Sequence, residues 1–133
     1  MTHHNYERLA EYLDTWPLLG FPKTEEGIEI ELLKKFFSPE EAEIALTLPL
    51  MLTANPESSH VIAEKAEKDE KEVENVLEGM VKKGIIYAVN IGGSKVYALL
   101  PWAPGIFEFG AKNFDSESAK LIEKYTTVQM LVE

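Results

Sequence analysis

The stretch that narrows the fold most is residues 57–100, ESSHVIAEKAEKDEKEVENVLEGMVKKGIIYAVNIGGSKVYALL. Ser58 or Ser59 can cap a helix whose inward face is Val61, Ile62, Ala63 and Ala66. Asp69 followed by Glu72 repeats capping-box logic, since an oxygen at the N-cap accepts an otherwise unsatisfied first-turn amide. It opens a second helix with Val73, Val76, Leu77 and Met80 on one face. Gly84 ends that helix after Lys82 and Lys83, cations suited to the negative terminus. The residues from 85 to 90 and from 95 to 100 are then rich in β-branched and aromatic side chains, and Gly92-Gly93 supplies a turn between them.

The flanks are helical and apolar. From Asn5 to Asp14, Tyr6, Leu9, Ala10 and Leu13 recur at i, i+3, i+4 and i+7, which predicts an amphipathic helix. Trp16-Pro17 and Gly20-Phe21-Pro22 break it into a loop. Trp16, Leu18, Leu19 and Phe21 are too apolar for a solvated linker, so they are expected to pack on the core, with a partner surface as the alternative. Between Ile28 and Phe37 the pattern fits both strand and helix, and a helix from about Ile30 is favoured. Ser38-Pro39-Glu40-Glu41 is a clean helix start, with Ser38 as N-cap, Pro39 pre-set at the first position and Glu41 reaching back. That helix is expected to bury Ala42, Ala45, Leu46 and Leu48 and to stop before Pro49, and Asn55-Pro56-Glu57-Ser58 reads as a loop. After Pro101 a second irregular apolar stretch holds Trp102, Ile106, Phe107 and Phe109. Asp115 or Ser116 then caps a last helix carrying Leu121, Ile122, Tyr125, Val128 and Val132.

Helix, short turn, helix and hairpin is the order of a winged helix-turn-helix. The expected class is therefore α+β, mainly α: a winged helix-turn-helix with additional N- and C-terminal helices. The 133 residues suit one domain. It comprises an N-terminal helical extension over 1–37, a winged-helix core over 38–100, and a C-terminal loop and helix over 101–133. No apolar run approaches the ~20 residues of a membrane span, and the N-terminus lacks the basic start and apolar stretch of a secretory signal. A cytoplasmic protein without a membrane partner is expected.

The chain has no cysteine, which excludes disulfides, thiolate-held iron–sulfur clusters, a Cys nucleophile and Cys-based zinc sites. His3 and His4 sit together near the terminus and His60 stands alone, so no set of ligands converges on a metal. No Ser/His/Asp arrangement has helpful context. Gly92-Gly93 lacks the following helix that a nucleotide site needs. The carboxylates lie on expected outer faces, without the burial or close pairing that shifts a pKa for acid–base work. The reading is of a non-enzyme with no catalytic, cofactor or metal residues.

Net charge is −10, and Arg8 is the only arginine. Projected at 100° per residue, the helix before the hairpin turns Lys71, Asn75, Glu78 and Lys82 away from its core stripe, and the hairpin adds Lys95. These five are the candidate interaction surface. In a DNA-reading winged helix the N-terminal half of that helix enters the major groove. Here that half carries Asp69, Glu70, Glu72 and Glu74, and nucleic acid as a partner is disfavoured because binding phosphate calls for cations. A second candidate is apolar: Trp16, Phe21, Trp102 and Phe107 could dock a partner or line a small-molecule pocket.

Three segments, LGFPKTEEGIEIELLKKFFSPEEAEIAL, the stretch ending in MVKKGIIY, and YALLPWAPGIFEFG, together resemble the N-terminal region of winged-helix proteins fused to ferredoxin-type 4Fe-4S domains of anaerobic bacteria and archaea. The resemblance covers roughly residues 5–125. Its distinctive parts are GFPKTEEG, FSPEEAEIA and PGIFEF, whereas MVKKGII is common to many winged helices. In that family a pair of Cys-rich cluster motifs follows. These 133 residues hold none, so no ligand role transfers to any residue, and either a shortened piece or a natural stand-alone version is expected. The resemblance implies a cytoplasmic accessory or regulatory module in a redox context. Its partner would be another protein or a ferredoxin-type domain lying outside these residues. Two alternatives remain open: a DNA-binding regulator that forms a homodimer through its terminal helices, and a small-molecule sensor.

Overall fold

The computed structural model describes residues 2–16, 20–51, 53–102, 106, 117 and 120–125, the first two by backbone alone. In order these form α1 (Thr2–Asp14), α2 (Ile28–Phe36), α3 (Pro39–Ala45), β1 (Glu57–Ser58), α4 (Ser59–Ala66), α5 (Glu70–Lys83), β2 (Ile86–Ile91) and β3 (Ser94–Leu99). Residues 120–125 are also helical. Among the described residues the class is mixed and mostly helical, with an antiparallel three-stranded sheet in the order β1-β3-β2.

Local chemistry accounts for most boundaries. Ser38 and Glu41 form a reciprocal capping box at α3, with the Ser38 amide donating to the Glu41 carboxylate at 2.8 Å. The Ser58 hydroxyl accepts from the Val61 amide at the start of α4, and the Asp69 carboxylate accepts from the Glu72 amide at the start of α5. Gly84 closes α5 at φ 81°, a left-handed conformation that costs glycine little because it has no Cβ. Gly92 and Gly93, at φ 58° and 84°, join the Ile91–Ser94 pair. Two successive positive φ values make the type I′ turn that matches the twist of a hairpin.

Besides α1, which starts at Thr2 rather than Asn5, four boundaries differ from expectation. First, α2 begins at Ile28, two residues early, although its N-cap Gly27 offers no side chain. The Thr24 hydroxyl takes the capping role by accepting from the Ile28 amide at 2.9 Å. Glu29, 2 % exposed, folds back to accept from the Thr24 amide at 2.9 Å and its hydroxyl at 2.8 Å. Second, Glu57–Ser58 is a strand rather than a loop, pairing with Tyr97 and Val96 of β3. Third, α3 stops at Ala45, and Leu48 is buried in the turns that follow. Fourth, both hairpin strands are offset by one residue from the expected spans. The last expected helix is described only in part, and its Asp115 or Ser116 cap lies outside the described residues.

One hydrophobic cluster runs through all of this, from Leu9 and Leu13 of α1 through Leu32 and Leu33 of α2 to Ile62, Leu77 and Leu99. Each such side chain contributes about 1.5–3 kcal/mol by leaving water. Long-range hydrogen bonds stitch α1 to the turns beyond α2 and α3: Tyr6 Oη donates to Phe37 O at 2.6 Å and Tyr12 Oη to Leu48 O at 2.6 Å. Among the described residues no helix is long and apolar enough to cross a membrane.

Candidate interaction surface of the fifth helix and the hairpin

The capping of α5 by Asp69 and the burial of Val73, Leu77 and Met80 set the rotation of this helix. Lys71, Asn75 and Lys82 accordingly lie exposed on its outer side. Glu78, assigned to the same outer set, is instead half-buried and turned to the sheet. Its carboxylate accepts from Lys95 Nζ at 2.8 Å and from Tyr97 Oη at 2.6 Å. So the fold brings together two of the five predicted residues, Glu78 and Lys95, and adds a third group, Tyr97. Tyr97 is readable as a hairpin aromatic, but its partner depends on how α5 packs over β3.

The charges of this trio follow from its geometry. The ammonium of Lys95, then the phenol of Tyr97, hold the Glu78 carboxyl below its ordinary range. Burial, then the neighbouring carboxylate, push the Tyr97 phenol well above its usual value, so it stays protonated and donates. Beside the trio a concavity of about 580 Å³ opens between the start of α4, α5 and β3, walled in part by Ser59, Glu70, Glu74 and Lys95.

His60 closes one end of it. Nδ1 lies 2.7 Å from Glu70 and Nε2 lies 3.0 Å from Glu64. The Glu70 hydrogen bond, then the Glu64 charge, raise the imidazole pKa above its ordinary value. The i, i+4 spacing of His60 and Glu64 is visible in the sequence, whereas the Glu70 contact needs the turn between α4 and α5.

Most lysines bordering this region already have carboxylate partners. Lys65 meets Glu57, Lys68 meets Glu43 at 2.9 Å, and Lys83 meets Glu41. The Lys65 and Lys68 pairs are half-exposed and contribute modestly to stability, and the Lys83–Glu41 pair is the most enclosed of the three. Their consequence is electrostatic: the surface around α5 keeps its acidic surplus.

The apolar candidate set is corrected. Trp16, Phe21 and Trp102 are all buried and give no exposed docking patch. The Phe21 and Trp102 rings lie 4.8 Å apart, Tyr125 sits 5.3 Å from Phe21, and Phe36 lies 5.8 Å from Trp102. Trp16 donates from Nε1 to Met51 O at 2.8 Å. These rings join both flanking segments to α2, since burying large aromatic area against itself outweighs exposing it to water. Phe107, the fourth member, lies outside the described residues.

A second concavity of about 730 Å³ opens between α1, α2 and residues 20–27, with Glu7, Glu11, Glu26 and Glu31 among its acidic walls. Among the described residues no three His, Cys, Asp or Glu side chains converge as metal ligands would. No family model, curated protein or solved structure matches this chain.

Proposed function

We propose that the chain is a non-enzymatic winged-helix interaction or regulatory module that docks a protein rather than reading DNA. In this reading α4 and α5 are the helix-turn-helix, the β2–β3 hairpin is the wing, and α1, α2 and the C-terminal helix are extensions. Support comes from the element order, the tight I′ turn and the short β1 strand added to the hairpin.

The observation that carries the reading is the Glu78–Lys95 pair. Lys95 is the one lysine of the hairpin, and a carboxylate of the would-be recognition helix already holds it. To reach a phosphate it must leave Glu78, which would then face that phosphate uncompensated. Asp69, Glu70, Glu72 and Glu74 occupy the half of α5 that would enter a groove. A partner with a basic face fits this surface better than a polyanion does.

The segments GFPKTEEG and FSPEEAEIA extend the proposal to a cytoplasmic role in a redox context, with a ferredoxin-type 4Fe-4S domain as the partner. Any cluster would be held by that domain, because this chain has no cysteine. The alternative, a DNA-binding regulator, draws on Lys71, Asn75 and Lys82, which are exposed.

Two titrations separate the readings. A random-sequence duplex at low salt should show no saturable binding, and a ferredoxin-type domain should bind with an affinity that Glu74→Lys weakens. A steep salt slope for the duplex, reduced by Lys71→Ala and Lys95→Ala, would establish the DNA reading instead.

A further inference from the structure

The outer edge of the hairpin has a composition unlike the rest of the surface. In the order β1-β3-β2, β2 is the terminal strand among the described residues. Natural edge strands are usually blunted by charge, proline or a bulge, because free main-chain groups recruit other strands. The β2 sequence IYAVNI has no charge and no proline, and its register with β3 runs unbroken from Ile86–Leu99 to Ile91–Ser94.

Hydrogen bonding elsewhere shows which groups point outward. The Leu99 amide donates to Pro49 O at 2.8 Å, and Leu99 O accepts from the Met51 amide at 2.9 Å. Both main-chain groups of Leu99 therefore point away from β2, and Leu99–Ile86 is a non-hydrogen-bonded pair. Antiparallel pairing alternates, so Tyr87, Val89 and Ile91 bond to β3, and Ile86, Ala88 and Asn90 turn their N–H and C=O groups to the free edge. Ile86 is buried at 2 % exposure, which leaves Ala88 and Asn90 as the accessible pair.

The side chains alternate as well. Lys95 and Tyr97 bond Glu78 of α5, so their cross-strand partners Asn90 and Ala88 share the helix face of the sheet. Tyr87, Val89 and Ile91 lie on the opposite face. Val89 is 40 % exposed and Ile91 59 %, and the one other exposed large apolar side chain among the described residues is Val61 at 37 %.

We propose that β2 is a self-association edge, where a second copy of this chain pairs antiparallel about a two-fold axis at Val89. The strand is self-complementary under that operation. Val89 meets Val89 of the second copy and Tyr87 meets its Ile91, giving an apolar ladder on one face. Ala88 exchanges main-chain bonds with Asn90 of the second copy, and Asn90 with its Ala88. The Val89 pair then falls at a non-hydrogen-bonded position, where opposing side chains approach most closely. Two copies of net charge −10 repel one another across most of their surfaces. The β2 strand and its Gly92-Gly93 turn are uncharged, so like charges do not meet along this edge. A dimer formed there strengthens as salt screens the remaining repulsion, whereas capture of a basic peptide weakens with salt.

Sedimentation of the full chain over a range of protein and salt concentrations tests the proposal. A monomer–dimer equilibrium that tightens with salt is expected. Val89→Lys should weaken it about tenfold or more by opposing two ammonium groups. Ala88→Pro, which removes an outward amide and spares the ladder to β3, should weaken it too, while Val61→Lys should leave it unchanged. Because the chain lacks cysteine, Val89→Cys provides a readout that tolerates the native surface. Across a non-hydrogen-bonded pair the two thiols lie within disulfide reach, so mild oxidation should crosslink this variant quickly and Val61→Cys slowly. A chain that stays monomeric at high salt overturns the proposal. So does a dimer indifferent to both β2 substitutions, equal crosslinking at positions 61 and 89, or an edge filled only by a basic peptide.

Discussion

Glu78 of α5 accepts a 2.6 Å hydrogen bond from the hydroxyl of Tyr97 on β3, and the same carboxylate holds Lys95. This contact joins the helix to the hairpin, and it turns the one carboxylate of the expected interaction face toward the sheet. Tyr97→Phe should destabilise the protein by about 1 kcal/mol, the net worth of an ordinary side-chain hydrogen bond, seen as a lower urea midpoint with an unchanged slope. Glu78→Gln should move the Tyr97 phenol back toward its ordinary pKa in an ultraviolet titration. No movement of the phenol would remove the carboxylate as a cause.

His60 makes stability depend on pH. Its folded pKa is raised by Glu70 and Glu64, so the folded state binds the proton more tightly than the unfolded chain does. That contribution is fully present below the unfolded value of about 6.5 and fades as pH rises through the folded value. The melting temperature of the wild type should therefore fall between pH 6 and pH 8 (roughly the histidine range) by more than that of His60→Gln. Equal slopes in the two proteins would show that the contact carries no linkage.

Thr24 and Glu29 replace the missing side-chain cap of α2. Glu29→Ala leaves the Thr24 amide and hydroxyl without their acceptor, and it should cost about 1–3 kcal/mol. Hydrogen exchange should quicken first at the start of α2. Protection lost evenly along the chain would point to a global effect instead.

Trp102 packs against Phe21, Phe36 and Tyr125 at ring separations of 4.8, 5.8 and 6.3 Å. Trp102→Ala should cost about 3–5 kcal/mol, a large part of the 5–15 kcal/mol typical of a domain. Trp102→Phe should recover much of that loss. A near-neutral Trp102→Ala in chemical denaturation would mean that the ring cluster is not part of the cooperative unit.

Local signals carried far in this chain. The Ser38–Glu41 box, the Asp69 cap, the Gly84 stop and the Gly92-Gly93 turn are short-range chemistry, and each is found where the residues put it. Pairings between distant residues were not legible. Glu57–Ser58 is too short to show a period, and it becomes a strand only because Val96 and Tyr97 present a free edge beside it. The apolar loops illustrate the same limit. Residue type placed Trp16 and Phe21 on the core, with a partner surface as the alternative, and they are buried there; which rings meet, Phe21 with Trp102 and Tyr125, was set by tertiary packing.

Of the candidate surface, exposure at Lys71, Asn75 and Lys82 follows from helical periodicity around a capped start, so one-dimensional order was enough to place it. The fate of Glu78, Lys95 and His60 was decided by tertiary packing. A side chain on a helix flank can face water or a neighbouring element, and the choice depends on where α5 crosses β3 and how closely α4 approaches it. Such distances arise from the whole core closing at once, and no local run of residues encodes them.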